Sequence, residues 1–156
     1  MRMITVKAVG VVRSPRIDRT DVDWGAVEST IELDARQFTA EALTGLSEFS
    51  HLEIVYLMHA IAESQIATGA RHPRENPDWP RVGIFAQRGA KRPNRIGVSR
   101  CRLIGIEGTR VHVRGLDAID GTPVLDIKPY MREFGPIGEV RQPQWAGEVM
   151  QRYYAE

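Results

Sequence analysis

"IGVSRCRLIGIEGTRVHVRGLD", residues 96–117, decides the fold. Two runs of apolar residues alternate with cations and meet at Glu107-Gly108, the pattern of a hairpin of half-buried strands. Leu103, Ile104 and Ile106 in the first arm, with Val111 and Val113 in the second, are expected to supply its core face. The flanking sequence is of the same kind. "VESTIEL" (27–33) sets Val27, Ser29, Ile31 and Leu33 on one side, as a half-buried strand does. "HLEIVYLMHAI" (51–61) is nearly all apolar and predicts a central strand buried on both faces. Residues 4–12 alternate and slip once near Gly10, as a bulged strand would. "VGIFAQ" and "DGTPVLDIKPY" predict two more short strands.

Helical signals are few. "TAEALTGL" reads as a short helix with Thr39 as N-cap and Gly45 near its end. "PQWAGEVMQRYYAE" has helical spacing, with Trp145, Val149, Met150 and Tyr153 sharing a face. Strands do not alternate with long helices, which argues against a doubly wound fold. The expectation is therefore a mainly β, single-domain β-barrel of about six or seven mixed strands with two short helices. It divides into a barrel over residues 1–140 and a C-terminal helical extension over 141–156.

The 156 residues suffice for one domain with its own core. With 42% apolar and 26% charged residues, the chain has the composition of a globular protein rather than a disordered one. No apolar run approaches the roughly 18 residues of a membrane helix. The N-terminus lacks the pattern of an export signal. The single cysteine, Cys101, fits a reducing, cytoplasmic setting.

Charge is unevenly spread. Residues 71–114 hold eleven Lys/Arg against three acids, a net +8 in a chain of net +1, so the remainder carries −7. Such a middle either meets an anionic ligand, such as RNA or a phosphate-bearing molecule, or simply solvates a barrel. Its densest part is "FAQRGAKRPNRIGVS" (85–99), with Arg88, Lys91, Arg92 and Arg95 in eight positions. Pro93 pushes Arg92 toward extended backbone, Asn94 tolerates left-handed geometry, and Gly89 and Gly97 permit close approach. The segment is either a rigid turn presenting guanidinium groups to carboxylate or phosphate, or a solvated hairpin tip.

Downstream, Asp126 and Lys128 share one side of a strand, as a surface ion pair or as the lining of a site. His59 closes the most apolar strand, in a structural or a functional role. His72, flanked by Arg71 and Arg74, suits an anion-facing loop. The four histidines and one cysteine lack the spacing of a zinc site, so no metal is expected. The two common nucleotide cradles and the nucleophile-elbow motif are absent.

"GVVRSP", "FSHL", "HPR", "GIFAQR", "RPNRIGVS" and "GLDAIDGTPVLDIKPY" stand in the order and spacing of the YaeB-like family, which the chain resembles over roughly residues 7–136. Members resemble methyltransferases that use S-adenosylmethionine to methylate threonylcarbamoyladenosine beside the tRNA anticodon. The resemblance implies a β-barrel methyltransferase, a homodimer, with tRNA as partner and no glycine-rich nucleotide loop. Carried over by position, it implies a cofactor site containing His59, Ala60, Arg88, Val98, Leu116 and Asp117, with Trp24 and Gly25 from the first long loop. Arg74, Lys91, Arg92, Asn94 and Arg95 are the expected RNA contacts, with Asp126, oriented by Lys128, as the expected catalytic pair. The sequence departs from the family pattern at "DVDWG" (21–25), at Arg95 where a proline is usual, and in lacking the additional C-terminal domain of longer members. Two other readings stay open: methylation of a small molecule, and a β-barrel module that binds RNA without catalysis.

Overall fold

A computed structural model describes residues 1–156. In chain order the elements are β1 (Gly10–Arg13), β2 (Glu28–Leu33), β3 (His51–Leu57), β4 (Ala70–Arg71), β5 (Val82–Gly83), β6 (Ile96–Glu107), β7 (Arg110–Arg114), β8 (Pro123–Pro129) and α1 (Gln144–Met150). Six strands close into a barrel in the order β1-β2-β7-β6-β3-β8, with β8 returning to β1. Closure leaves the barrel no unpaired edge. Every pair is antiparallel, so the expected mixture of strand directions gives way to one pattern. The connections that would allow parallel neighbours, long crossover helices, are missing. No helix is long and apolar enough to cross a membrane.

Alternation explains most of the wall. β2 buries Ser29, Ile31 and Leu33, and β3 buries Leu52, Ile54 and Tyr56, each leaving the intervening residues outside. β3 is thus covered on its inner face only, a correction to the expectation of burial on both faces: a closed barrel has one interior. The hairpin turns where expected, Glu107 opposite Arg110, with Gly108 at φ +59 in the two-residue connection. Its first arm differs in detail. The register slips between Leu103 and Gly105, which turns Ile104 outward to 51% exposure, while Ser99 and Cys101 occupy inner positions.

Three further expectations are corrected. The first strand begins only at Gly10. β2 ends opposite it at Leu33 and the chain turns away at Asp34, so Ile4 and Val6 have no ladder to join and stand exposed. "VGIFAQ" yields a two-residue strand paired with β4, followed by a 3₁₀ turn at Ile84–Ala86. "TAEALTGL" forms 3₁₀ turns at Ala40–Leu43 and Leu46–Glu48 rather than an α-helix, and the Thr39 side chain makes no cap. Gly10 is required where it is: a Cβ there would lie 2.5 Å from the Glu32 carbonyl oxygen across the β1–β2 ladder.

Candidate functional site

The antiparallel order brings six strand ends to one mouth of the barrel. These are the ends of β1, β3 and β7 and the starts of β2, β6 and β8. Four connections gather there: the long loop after β1, the turn after β3, the excursion between β5 and β6, and the segment between β7 and β8. With the C-terminal segment they enclose a cavity of about 590 Å³.

At its floor lies Asp117. The Tyr56 hydroxyl of β3 donates to Asp117 Oδ1 at 3.0 Å, and the Tyr153 hydroxyl donates to Oδ2 at 2.6 Å. Burial first, and then the negative charge of Asp117, push both phenols well above the ordinary tyrosine range. Both hydroxyls therefore stay protonated and act as fixed donors that orient the carboxylate. Each carboxylate oxygen still has acceptor capacity for a ligand. Gly97 makes this packing possible, because a Cβ there would collide with the Tyr56 ring.

The walls are held by arginines that reach backbone carbonyls. Arg16 donates to the Val22 and Asp23 carbonyl oxygens at 2.8 and 2.5 Å and lies 4.7 Å over the Trp24 ring, which fixes the loop after β1. Arg95 donates to the Ile61 carbonyl at 2.6 Å, while its own carbonyl accepts from Met58, so it brackets the turn carrying His59 and Ala60. Arg92 donates to the Gln87 carbonyl at 2.7 Å and Arg88 to the Val98 carbonyl at 2.9 Å. Buried Gln87 in turn donates to the Arg71 and Val82 carbonyls. Asn94 and Arg95 have φ of +62 and +53. A proline cannot adopt the latter value, so this loop follows a path of its own.

The outer wall comes from the C-terminal segment. The Asp23, Trp24 and Gly25 amides donate to the carbonyls of Arg152, Tyr153 and Ala155. Trp79 Nε1 donates to Glu148 at 2.7 Å, and Arg74 donates to the Val149 carbonyl at 2.6 Å. Trp145, Val149, Met150 and Tyr153 all line the cavity, so the face they share in sequence is the face that closes it.

Of the residues expected at a cofactor site, Trp24, His59, Ala60, Arg88, Val98 and Asp117 line this cavity. Two do not line it. Leu116 is fully buried in the barrel core, and Gly25 backs onto the Tyr154 carbonyl, where a Cβ would collide. Among the expected RNA contacts, Arg74 and Arg92 line the cavity. Lys91 pairs with Glu75 at 2.7 Å, and Asn94 and Arg95 lie outside it. Asp126 and Lys128 are not brought to the cavity either. They pair with each other at 2.5 Å on β8, about half exposed, because the register shift beside Val55 keeps both outside the barrel. No three His, Cys, Asp or Glu side chains converge to hold a metal ion.

Sequence reasoning missed Tyr56 and the part Tyr153 plays. Tyr56 carried a signal, a lone polar tip inside the most apolar strand; nothing local in the sequence marked Tyr153 as the partner of Asp117.

Comparison with known proteins agrees with the barrel. The family described as tRNA-methyltransferase O N-terminal domain matches residues 14–135. A protein of Methanothermobacter thermautotrophicus, named a probable S-adenosyl-L-methionine-binding protein, is 35% identical over 137 residues, 86% of this chain and 96% of that one. A human protein named tRNA (adenine(37)-N6)-methyltransferase is 37% identical over 102 residues, 65% of this chain and 23% of that one. The crystal structure of TrmO from Pseudomonas aeruginosa superimposes with a TM-score of 0.75 at 31% identity, covering 93% of this chain and 62% of that one. The chain spans about six tenths of the length of the Pseudomonas aeruginosa relatives it matches.

Proposed function

Since the chain belongs to the family of the tRNA-methyltransferase O N-terminal domain, we propose that it is an S-adenosylmethionine-dependent methyltransferase acting on tRNA, at the N6 nitrogen of threonylcarbamoyladenosine beside the anticodon. The observation that carries this reading is the Asp117 carboxylate, fixed by two phenols at the floor of a cavity that also presents Arg88.

The residues present fit that cofactor. A ribose diol or an ammonium needs an acceptor, and Asp117 supplies one with its orientation already set. A carboxylate needs a bidentate donor, and the exposed Arg88 guanidinium retains free N–H groups beyond its bond to Val98. Trp24, Met58 and Ile119 offer apolar surface for a base and a thioether. The volume lies within the usual range for small-molecule sites, about 300–1,000 Å³.

When bound, S-adenosylmethionine supplies a methyl group on a sulfonium centre, whose sulfur departs as a neutral thioether. Alignment is then the main demand on the protein, and well-oriented partners can lower a barrier by about 7–11 kcal/mol. Asp117 and Arg88 would fix the donor at two points. Trp145, Val149 and Met150 keep water from the outer wall. His59, exposed at the cavity rim with an imidazole that makes no hydrogen bond within the chain, would take the proton from the acceptor nitrogen in this reading.

We assign the protein to the cytoplasm, where tRNA is modified. The buried Cys101 thiol, pushed up to about 12 by burial, is not a reactive group there. A homodimer is part of the same reading. It is supported by Met131, Phe134, Ile137 and Val140, exposed by 41 to 100% at three-residue intervals. Light scattering should give twice the chain mass, and a monomer at micromolar concentration removes the dimer.

The deciding experiment supplies labelled methyl donor and total tRNA from a strain lacking this modification. Label in tRNA, at adenosine 37, is the expected result. Heat on cofactor addition without label in tRNA favours a small-molecule acceptor. Binding of tRNA with steep salt dependence and no cofactor heat favours an RNA-binding module.

A further inference from the structure

Arg88, Lys91, Arg92 and Arg95 each place one donor on a carbonyl of the chain or on Glu75, and a second electrostatic footprint for a polyanion is present away from this loop. It lies on the outer wall of the barrel. His51 on β3, Arg102 on β6 and Arg114 on β7 are register partners, His51 opposite Arg102 and Arg102 opposite Arg114. Side chains directly opposite across a ladder sit roughly 4.5–5.5 Å apart, where like charges destabilise the sheet. Acidic partners relieve part of the strain: Glu156 pairs with Arg114 at 3.2 Å, and Glu53 pairs with the neighbouring Arg100 at 3.1 Å. Arg102 is exposed, and its guanidinium has no ion-pair partner and makes no hydrogen bond within the chain, while facing a cation and a histidine.

His51, Arg100, Arg102 and Arg114 line a cleft of about 310 Å³ together with Glu156 and Tyr154. Tyr154 lines the methyl-donor cavity as well, so the two concavities adjoin across a single side chain. An anion held between Arg102, Arg114 and His51 would therefore lie beside a group entering the cavity.

We propose that this row grips a phosphodiester of the RNA backbone next to the nucleotide presented for methylation. The inference rests on the tRNA reading above and adds to it a binding site on the barrel wall, away from the loop where the sequence concentrates its charge. Backbone contacts of this kind position the substrate without reading its sequence.

The test is titration of labelled total tRNA by fluorescence anisotropy, for the full chain and for Arg102→Gln and Arg102→Lys, between about 50 and 200 mM salt. Calorimetry with S-adenosylmethionine runs in parallel. Arg102→Gln should weaken tRNA binding at every salt concentration and lower the slope of log K against log salt by about 1. It should keep wild-type cofactor affinity, and Arg102→Lys should retain most of the tRNA binding. Unchanged affinity and slope in Arg102→Gln overturn this inference and leave the tRNA reading intact. A wild type that binds cofactor but no tRNA overturns both. If inorganic phosphate binds the wild type, is lost in Arg102→Gln, and tRNA binding is unaltered, the cleft is a free-anion site and the RNA assignment fails.

Discussion

The barrel wall and the barrel mouth are held by different forces. In the wall, Val12, Ile31, Leu52, Ile54, Val111, Val113 and Val124 are fully buried behind the ladders of a closed barrel, and apolar burial does the holding. At the mouth, short irregular turns are tied by guanidinium groups on carbonyls, from Arg16, Arg74, Arg92 and Arg95, and by two phenols on Asp117. The wall can therefore stay folded while the mouth loses its shape. Function should fail before stability when the mouth is altered, and the reverse should hold in the wall.

The largest expected effect on stability is in the wall. Ile54→Ala should cost about 2–5 kcal/mol in urea denaturation, by lost burial and the cavity left behind. A loss below 1 kcal/mol would break the contrast. Next comes Arg95→Ala. Removing a charged donor from the Ile61 carbonyl should cost about 1–3 kcal/mol and, by loosening the His59 turn, lower cofactor affinity several-fold in calorimetry. Equal cofactor affinity would show that the clamp has no bearing on the site.

Alkaline pH sharpens the contrast further. Tyr56 and Tyr153 have folded-state pKa values raised above the unfolded value of about 10. The folded chain keeps both protons that the unfolded chain releases, so the stability they contribute is intact below pH 10 and falls as pH rises above it. Replacing Tyr153 with Phe should flatten that alkaline decline. An alkaline limb identical to wild type would mean that its hydroxyl does not remain protonated in the fold. The smallest effect is expected at Asp126→Asn on β8: an exposed ion pair contributes about 0–1 kcal/mol, and single-turnover transfer should be unchanged. A hundredfold loss of transfer would return Asp126 to the chemistry.

The same division explains what could be read from the chain before its structure. Patterns that depend on neighbours in sequence located β2, both arms of the β6–β7 hairpin and β8, and a nearly continuous apolar run located β3 while hiding that only one of its faces is covered. The bulge at Leu103 to Gly105 left no such trace, because it reflects fit to β7 rather than local composition. At the mouth, the family resemblance named Trp24, His59, Arg88 and Asp117, and these four line one cavity. Charge density alone does not show where the donors go: Arg92 and Arg95 each place one on a carbonyl, Arg95's on Ile61, 34 residues away, whereas the Arg102 guanidinium, unremarked in a strand, is left without a partner. The Tyr153–Asp117 bond joins the C-terminal segment to the barrel floor, and nothing local predicts a contact of that kind.

Calorimetric titration of S-adenosylmethionine into the wild type and into Asp117→Asn, without RNA, tests the central claim most directly. The account predicts one site per chain in the wild type and at least a tenfold weaker one in Asp117→Asn, about 1.4 kcal/mol, with the barrel still folded. Equal affinity in the two proteins would contradict it.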